Sequence, residues 1–107
     1  GENPPKPMHW MKVYQTTNTK WIDIDVVQAE MEKLADVGDI YRPINCDTKE
    51  DLDFLLVGYF SQEHVLPAKK RYDGMVLEDV EFCVEICPHW FIGLYPKGGI
   101  IPIGGSA

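Results

Sequence analysis

The stretch DTKEDLDFLLVGY, residues 47–59, decides how this chain is layered. Asp47-Thr48-Lys49-Glu50 has the form of a capping box, an acceptor side chain three residues ahead of a carboxylate that reaches back. Leu52, Leu55, Leu56 and Tyr59 then recur at i, i+3, i+4 and i+7, the spacing of one buried helix face. The segment is expected to be a helix, weakened near its end by Gly58, with Pro67 lying beyond it.

Upstream, Asp25-Val26-Val27-Gln28 repeats the capping-box form, and Val27, Met31, Leu34 and Ala35 follow helical spacing up to Gly38. That predicts a first helix ended by Gly38. His9–Thr16 reads as a strand, Thr17-Asn18-Thr19 as a turn, and Trp21–Ile24 as a short strand pairing back. Asp39–Ile44 reads as another short strand, which Pro43 confines to an edge or an end.

Downstream, the pattern changes to strict alternation. Val80, Phe82, Val84 and Ile86 point one way, and Asp79, Glu81, Cys83 and Glu85 the other, so Val76–Ile86 reads as one long half-buried strand. Trp90–Tyr95 and Ile100–Ile103, separated by the turn Pro96-Lys97-Gly98-Gly99, complete a β-meander. An exposed final edge would permit dimerisation by strand pairing without predicting it. The fold class expected is α+β, a mainly antiparallel sheet with two helices packed on one face, in the order ββαβαβββ. Residues 1–8 read as an N-terminal extension, with Gly1 fitting a tag scar, and residues 9–107 as a single domain.

Composition agrees. A chain of 107 residues holds one core, and 45% apolar with 25% charged residues argues against disorder. No apolar run nears the ~20 residues that span a bilayer, and the proline-rich start has no signal-peptide stretch. Three cysteines suit reduced thiols and a cytoplasmic location. On one strand the Cα atoms of Cys83 and Cys87 would stand roughly 13 Å apart, beyond the ~7 Å reach of a disulfide. A pairing of Cys46 with one of them stays open.

Charge is the most informative global quantity. The net charge is −7, and Ile22–Leu55 holds ten acids against Lys33, Arg42 and Lys49, so that region carries the whole imbalance. Such acidity argues against nucleic acid as a partner, because phosphate binding needs clustered Lys and Arg. Asp25 and Asp47 serve as helix caps. Glu30, Glu32, Asp36, Asp51 and Asp53 are not needed for caps, and an acidic face of this kind steers a basic partner into contact.

Other candidates are weaker. Cys83, Glu85, Cys87 and His89 are zinc-ligand types, but alternate strand residues sit about 6.6 Å apart, so four could not share one ion. Cys46 or Cys83 with His64 or His89 would supply a thiol and a base, yet nothing local pairs them. Lys69-Lys70-Arg71 is the one basic cluster and reads best as a solvated loop. The Gly-Gly pairs lack the Gly-Lys-Ser/Thr of a phosphate loop.

The expectation is therefore a small acidic protein-binding protein, an inhibitor, immunity factor or adaptor, docking on a basic protein surface. It has no catalytic residues, no metal, no cofactor and no membrane contact. The alternative is a pocket between sheet and helices lined by His64, His89, Tyr72 and the tryptophans.

Overall fold

Residues 54–59 are a strand in the computed structural model, which describes residues 8–16, 22–45 and 47–88. All six residues from Phe54 to Tyr59 are buried. A helix would have buried only the Leu52, Leu55, Leu56 and Tyr59 stripe. Burying a large apolar side chain is worth roughly 1.5–3 kcal/mol, while helix propensities differ by at most about 0.7 kcal/mol per ordinary residue. Covering Phe54 and Val57 as well therefore outweighs any helical preference. The expected capping box is instead a turn, in which Asn45 Oδ1 accepts from the Asp47 and Thr48 N–H groups and Thr48 Oγ1 from Glu50 N–H.

The elements run β1 (His9–Gln15), α1 (Ile24–Met31), β2 (Val37–Tyr41), β3 (Phe54–Tyr59), a single 3-10 turn at Gln62–His64, α2 (Val65–Tyr72), β4 (Val76–Leu77) and β5 (Val80–Ile86). The sheet order is β2-β3-β1-β5-β4, and every pairing is antiparallel. The expected class holds: the domain is α+β, with α1 and α2 on one face of an antiparallel sheet. Among the described residues no helix is long and apolar enough to cross a membrane.

The element order departs from expectation in four places. Ile24 opens α1 instead of closing a strand, and Asp23, not Asp25, is the N-cap, its Oδ1 accepting from Asp25 N–H at 2.8 Å. The helix stops at Met31, because Val37 must enter the sheet core next to Tyr59. The second helix lies in the segment expected to be a loop, where Pro67 falls in its first turn and needs no hydrogen-bonded N–H. The long last strand is a hairpin, with Glu78 and Asp79 at φ of 49° and 66° turning β4 into β5. The expected strands Trp90–Tyr95 and Ile100–Ile103 lie outside the described residues, as does Trp21.

Met11, Val13, Leu55, Val57, Tyr59, Phe82 and Val84 meet Val27 and Met31 of α1 and Ala68 and Tyr72 of α2 in one core. Two buried phenols tie it together. Tyr72 donates to the Glu30 carbonyl at 2.6 Å and Tyr59 to the Met31 carbonyl at 3.2 Å, serving carbonyls in the last turn of α1. Burial raises both phenol pKa values, that of Tyr59 far above the usual range.

Candidate functional site

Because side chains alternate along a strand, the residues between these core positions form the opposite face of the sheet. On β1 they are Trp10, Lys12 and Tyr14, and on β3 Phe54, Leu56 and Gly58. Tyr41 joins from β2, opposite Leu56, and β5 adds Glu81, Cys83 and Glu85. Trp10, Tyr41, Phe54 and Leu56 form a second apolar cluster on this face, with Met8, Tyr14 and Leu52 packed against it.

The cross-strand register explains the packing. Trp10 stands opposite Gly58, where a Cβ would lie 3.1 Å from two carbons of the indole and 3.2 Å from Met8 Sδ. Only glycine lets the ring lie so close over β3. The Trp10 indole meets the Tyr41 ring edge-on at 5.9 Å, and Tyr14 meets Phe54 at 5.4 Å. Lys12 Nζ sits 4.9 Å from the Phe54 ring centre, a cation–π contact. Trp10, Tyr41 and Phe54 are buried, whereas Tyr14 and Lys12 are half-buried and Cys83 and Glu85 exposed. The accessible part of the face thus runs from the half-buried Tyr14 and Lys12 to the exposed side chains of β5.

The five acids expected to dock a partner do not share one element. Glu30 is buried, bridged by Lys33 at 3.0 Å and Arg71 at 3.7 Å, so its carboxylate ties α1 to α2. Glu32 caps the end of α1 and accepts from Gln28, and Asp36 is exposed in the following turn. Asp51 pairs with Arg42, and Asp53 is exposed just ahead of β3.

The other candidates also resolve. Lys69 Nζ donates to the Val84 carbonyl at 2.8 Å and Arg71 contacts Glu30 and the Tyr72 ring, so two of the three basic residues serve the fold. Cys83 lies on the open face, while His64 packs its ring against Tyr59 of the helix-side core, so the two are not brought together. Burial pushes the Cys87 thiol up to about 11, which leaves little thiolate at neutral pH. Cys46 and His89 lie outside the described residues. Among the described residues no group of three or more His, Cys, Asp or Glu could hold a metal ion. Tyr72 is a packed core residue rather than a pocket wall. A cavity of about 40 Å³ lies at the end of the sheet beside His9, Trp10, Val65 and Cys87, room for little more than one water.

The four antiparallel strands β2-β3-β1-β5 of this five-stranded sheet, backed by two helices and with rings on the central pair, have the architecture of an RNA-recognition-motif (RRM) fold. Two solved structures share it. The RRM domain at the N-terminus of Set1 matches at 17% identity with a TM-score of 0.58, over 71% of this chain and 72% of that one. The N-terminal RNA-binding domain of a hypothetical protein matches at 18% identity with a TM-score of 0.54, over 82% of this chain and 85% of that one. No protein-family profile matches the chain, and no curated protein does.

These neighbours overturn the reading as an acidic inhibitor, immunity factor or adaptor for a basic surface, and with it the exclusion of nucleic acid. The physical error lay in weighing net charge alone. Clustered cations report phosphate binding, but an RRM-type sheet stacks bases on aromatic rings, and a formal charge of −7 does not register that. A sequence signal did exist. The strand motif of such domains, Lys/Arg-Gly-Phe/Tyr-Gly/Ala-Phe-Val-x-Phe/Tyr, falls on residues 52–59 with Phe54, Val57 and Tyr59 in place. Leu52, Asp53, Leu55 and Leu56 depart from it, which removes one cation and one ring and leaves a leucine-rich run of helical spacing.

Proposed function

We propose that the open sheet face binds single-stranded RNA by stacking bases on its aromatic residues, with little help from phosphate contacts. The observation that carries this reading is the placement of Trp10, Lys12 and Tyr14 on β1 beside Phe54 on β3, facing away from the helices. Tyr14 offers a half-buried ring that packs against Phe54, and Lys12 in turn lies over the Phe54 ring. The RNA-binding description of the fold neighbours supports the choice of ligand. Among the described residues Lys12 is the one basic side chain these strands place on the face, so affinity should fall only shallowly with salt.

Titration of a fluorescently labelled single-stranded RNA of mixed sequence, followed by anisotropy, tests it. Tyr14→Ala should weaken binding by about 1–3 kcal/mol, the worth of one stacked base, while leaving the fold intact by circular dichroism. Absence of binding to any single strand, or wild-type affinity in Tyr14→Ala, would refute the proposal.

A further inference from the structure

Tyr14 stands directly opposite Cys83, and Glu81 and Glu85 lie two residues to either side of Cys83 on the same face of β5. Both acids are therefore diagonal neighbours of Tyr14, with Cα atoms about 7–8 Å away. All three β5 side chains are exposed. Cys83 is a small, exposed free thiol. Glu85 is opposite Lys12, and among the described residues its carboxylate has no hydrogen-bond or ion-pair partner. Beside the half-buried Tyr14 ring the face thus carries one small side chain with an exposed acidic residue two positions to either side of it.

Ionised carboxylates accept hydrogen bonds and donate none. A base stacked on Tyr14 and extending over Cys83 would present its edge to acceptors only. Cytosine offers the N4 amine, and Asp or Glu accepting from cytosine N4 is an established pairing of side chain and base. Uracil offers a single N3–H between two carbonyl oxygens, which two carboxylates oppose. We infer that Tyr14, Glu81, Cys83 and Glu85 form a nucleobase subsite selective for amino-bearing bases, so that this face prefers cytosine to uracil. The inference rests on the reading of the open face as a single-strand-binding surface, and it gives the acidity of β5 a role in selection: the acids repel phosphate and read base edges.

The test compares short labelled oligocytidylate and oligouridylate on the full chain, by anisotropy at fixed salt. The expected result is tighter binding of oligocytidylate by about tenfold, within what one good base-edge contact supports. In the double variant Glu81→Gln/Glu85→Gln, which keeps shape and gives each position a donor, the ratio should fall to about one through tighter binding of oligouridylate. Both positions are exposed, and circular dichroism checks that the variant folds. Equal affinity for the two oligomers in the parent chain, or an unchanged ratio in the double variant, overturns the subsite while leaving the binding face standing. Binding of neither oligomer removes both.

Discussion

The two faces of one sheet differ in composition although the same alternation of side chains builds both. The helix-side face is lined by Met, Val, Leu, Phe and Tyr, closed by two helices, and sealed by two phenols on the end of α1. The open face has fewer aliphatic residues, more rings, one lysine, and exposed acids along β5. Both faces bury apolar surface, but only the open one leaves a ring and charged groups within reach of solvent. Composition cannot separate them, because each strand contributes to both.

The comparison breaks first where burial is deepest. Phe82→Ala, at a nearly fully buried helix-side position, should cost about 3–5 kcal/mol in urea unfolding, against under about 1 kcal/mol for Tyr14→Ala on the open face. Equal losses would mean that the open face is as much a structural core as the other.

A smaller effect tests the phenol seal. Tyr72→Phe should lose about 1 kcal/mol at neutral pH by removing the bond to the Glu30 carbonyl. Because burial raises the pKa of Tyr59 and Tyr72, the unfolded chain releases these protons first, near the ordinary phenol pKa of about 10. The stability held by the neutral phenols is present below that pH and is lost as pH rises above it. The urea midpoint should therefore fall above about pH 10, and less steeply in the double variant Tyr59→Phe/Tyr72→Phe.

The smallest effect concerns the edge of β5, where Asp73 Oδ1 accepts from Val84 N–H at 2.8 Å and Lys69 donates to Val84 O. The Val84 N–H, and after it Lys69 and Cys83, hold the Asp73 carboxyl below its usual range. Its contribution is present above the unfolded value near 3.9 and disappears as pH falls through the folded value. Asp73→Asn should flatten the acid limb of the stability profile with little change at neutral pH, and an unaltered acid limb would show that the Val84 contact adds nothing.

How much was legible follows from particular residues. Val80, Phe82 and Val84 alternate because one side of β5 is solvent, so period and burial agree and the strand could be read directly. Phe54–Tyr59 is buried on both sides, so it has no alternation, and its leucines fall by chance at helical spacing. The α2 segment has the opposite problem, since Lys69, Lys70 and Arg71 look like a solvated loop until Val84 and Glu30 are found beside them. Of the open face, the rings were visible as residues, but their convergence needed the register Trp10↔Gly58 and Tyr14↔Phe54.

The sequence by itself determined the class: α+β with an antiparallel sheet, an apolar set large enough for a core, and a net acidity carried by residues 22–55. Those follow from side-chain period and composition, which are local or additive. Only the tertiary structure decided that β1 and β3 lie side by side at the centre of the sheet and that Glu30 turns inward. It also decided that Trp10, Tyr41, Phe54 and Leu56 gather on the sheet face away from the helices. Each of these depends on contacts between residues far apart in the chain, made by burial that no single segment can specify alone.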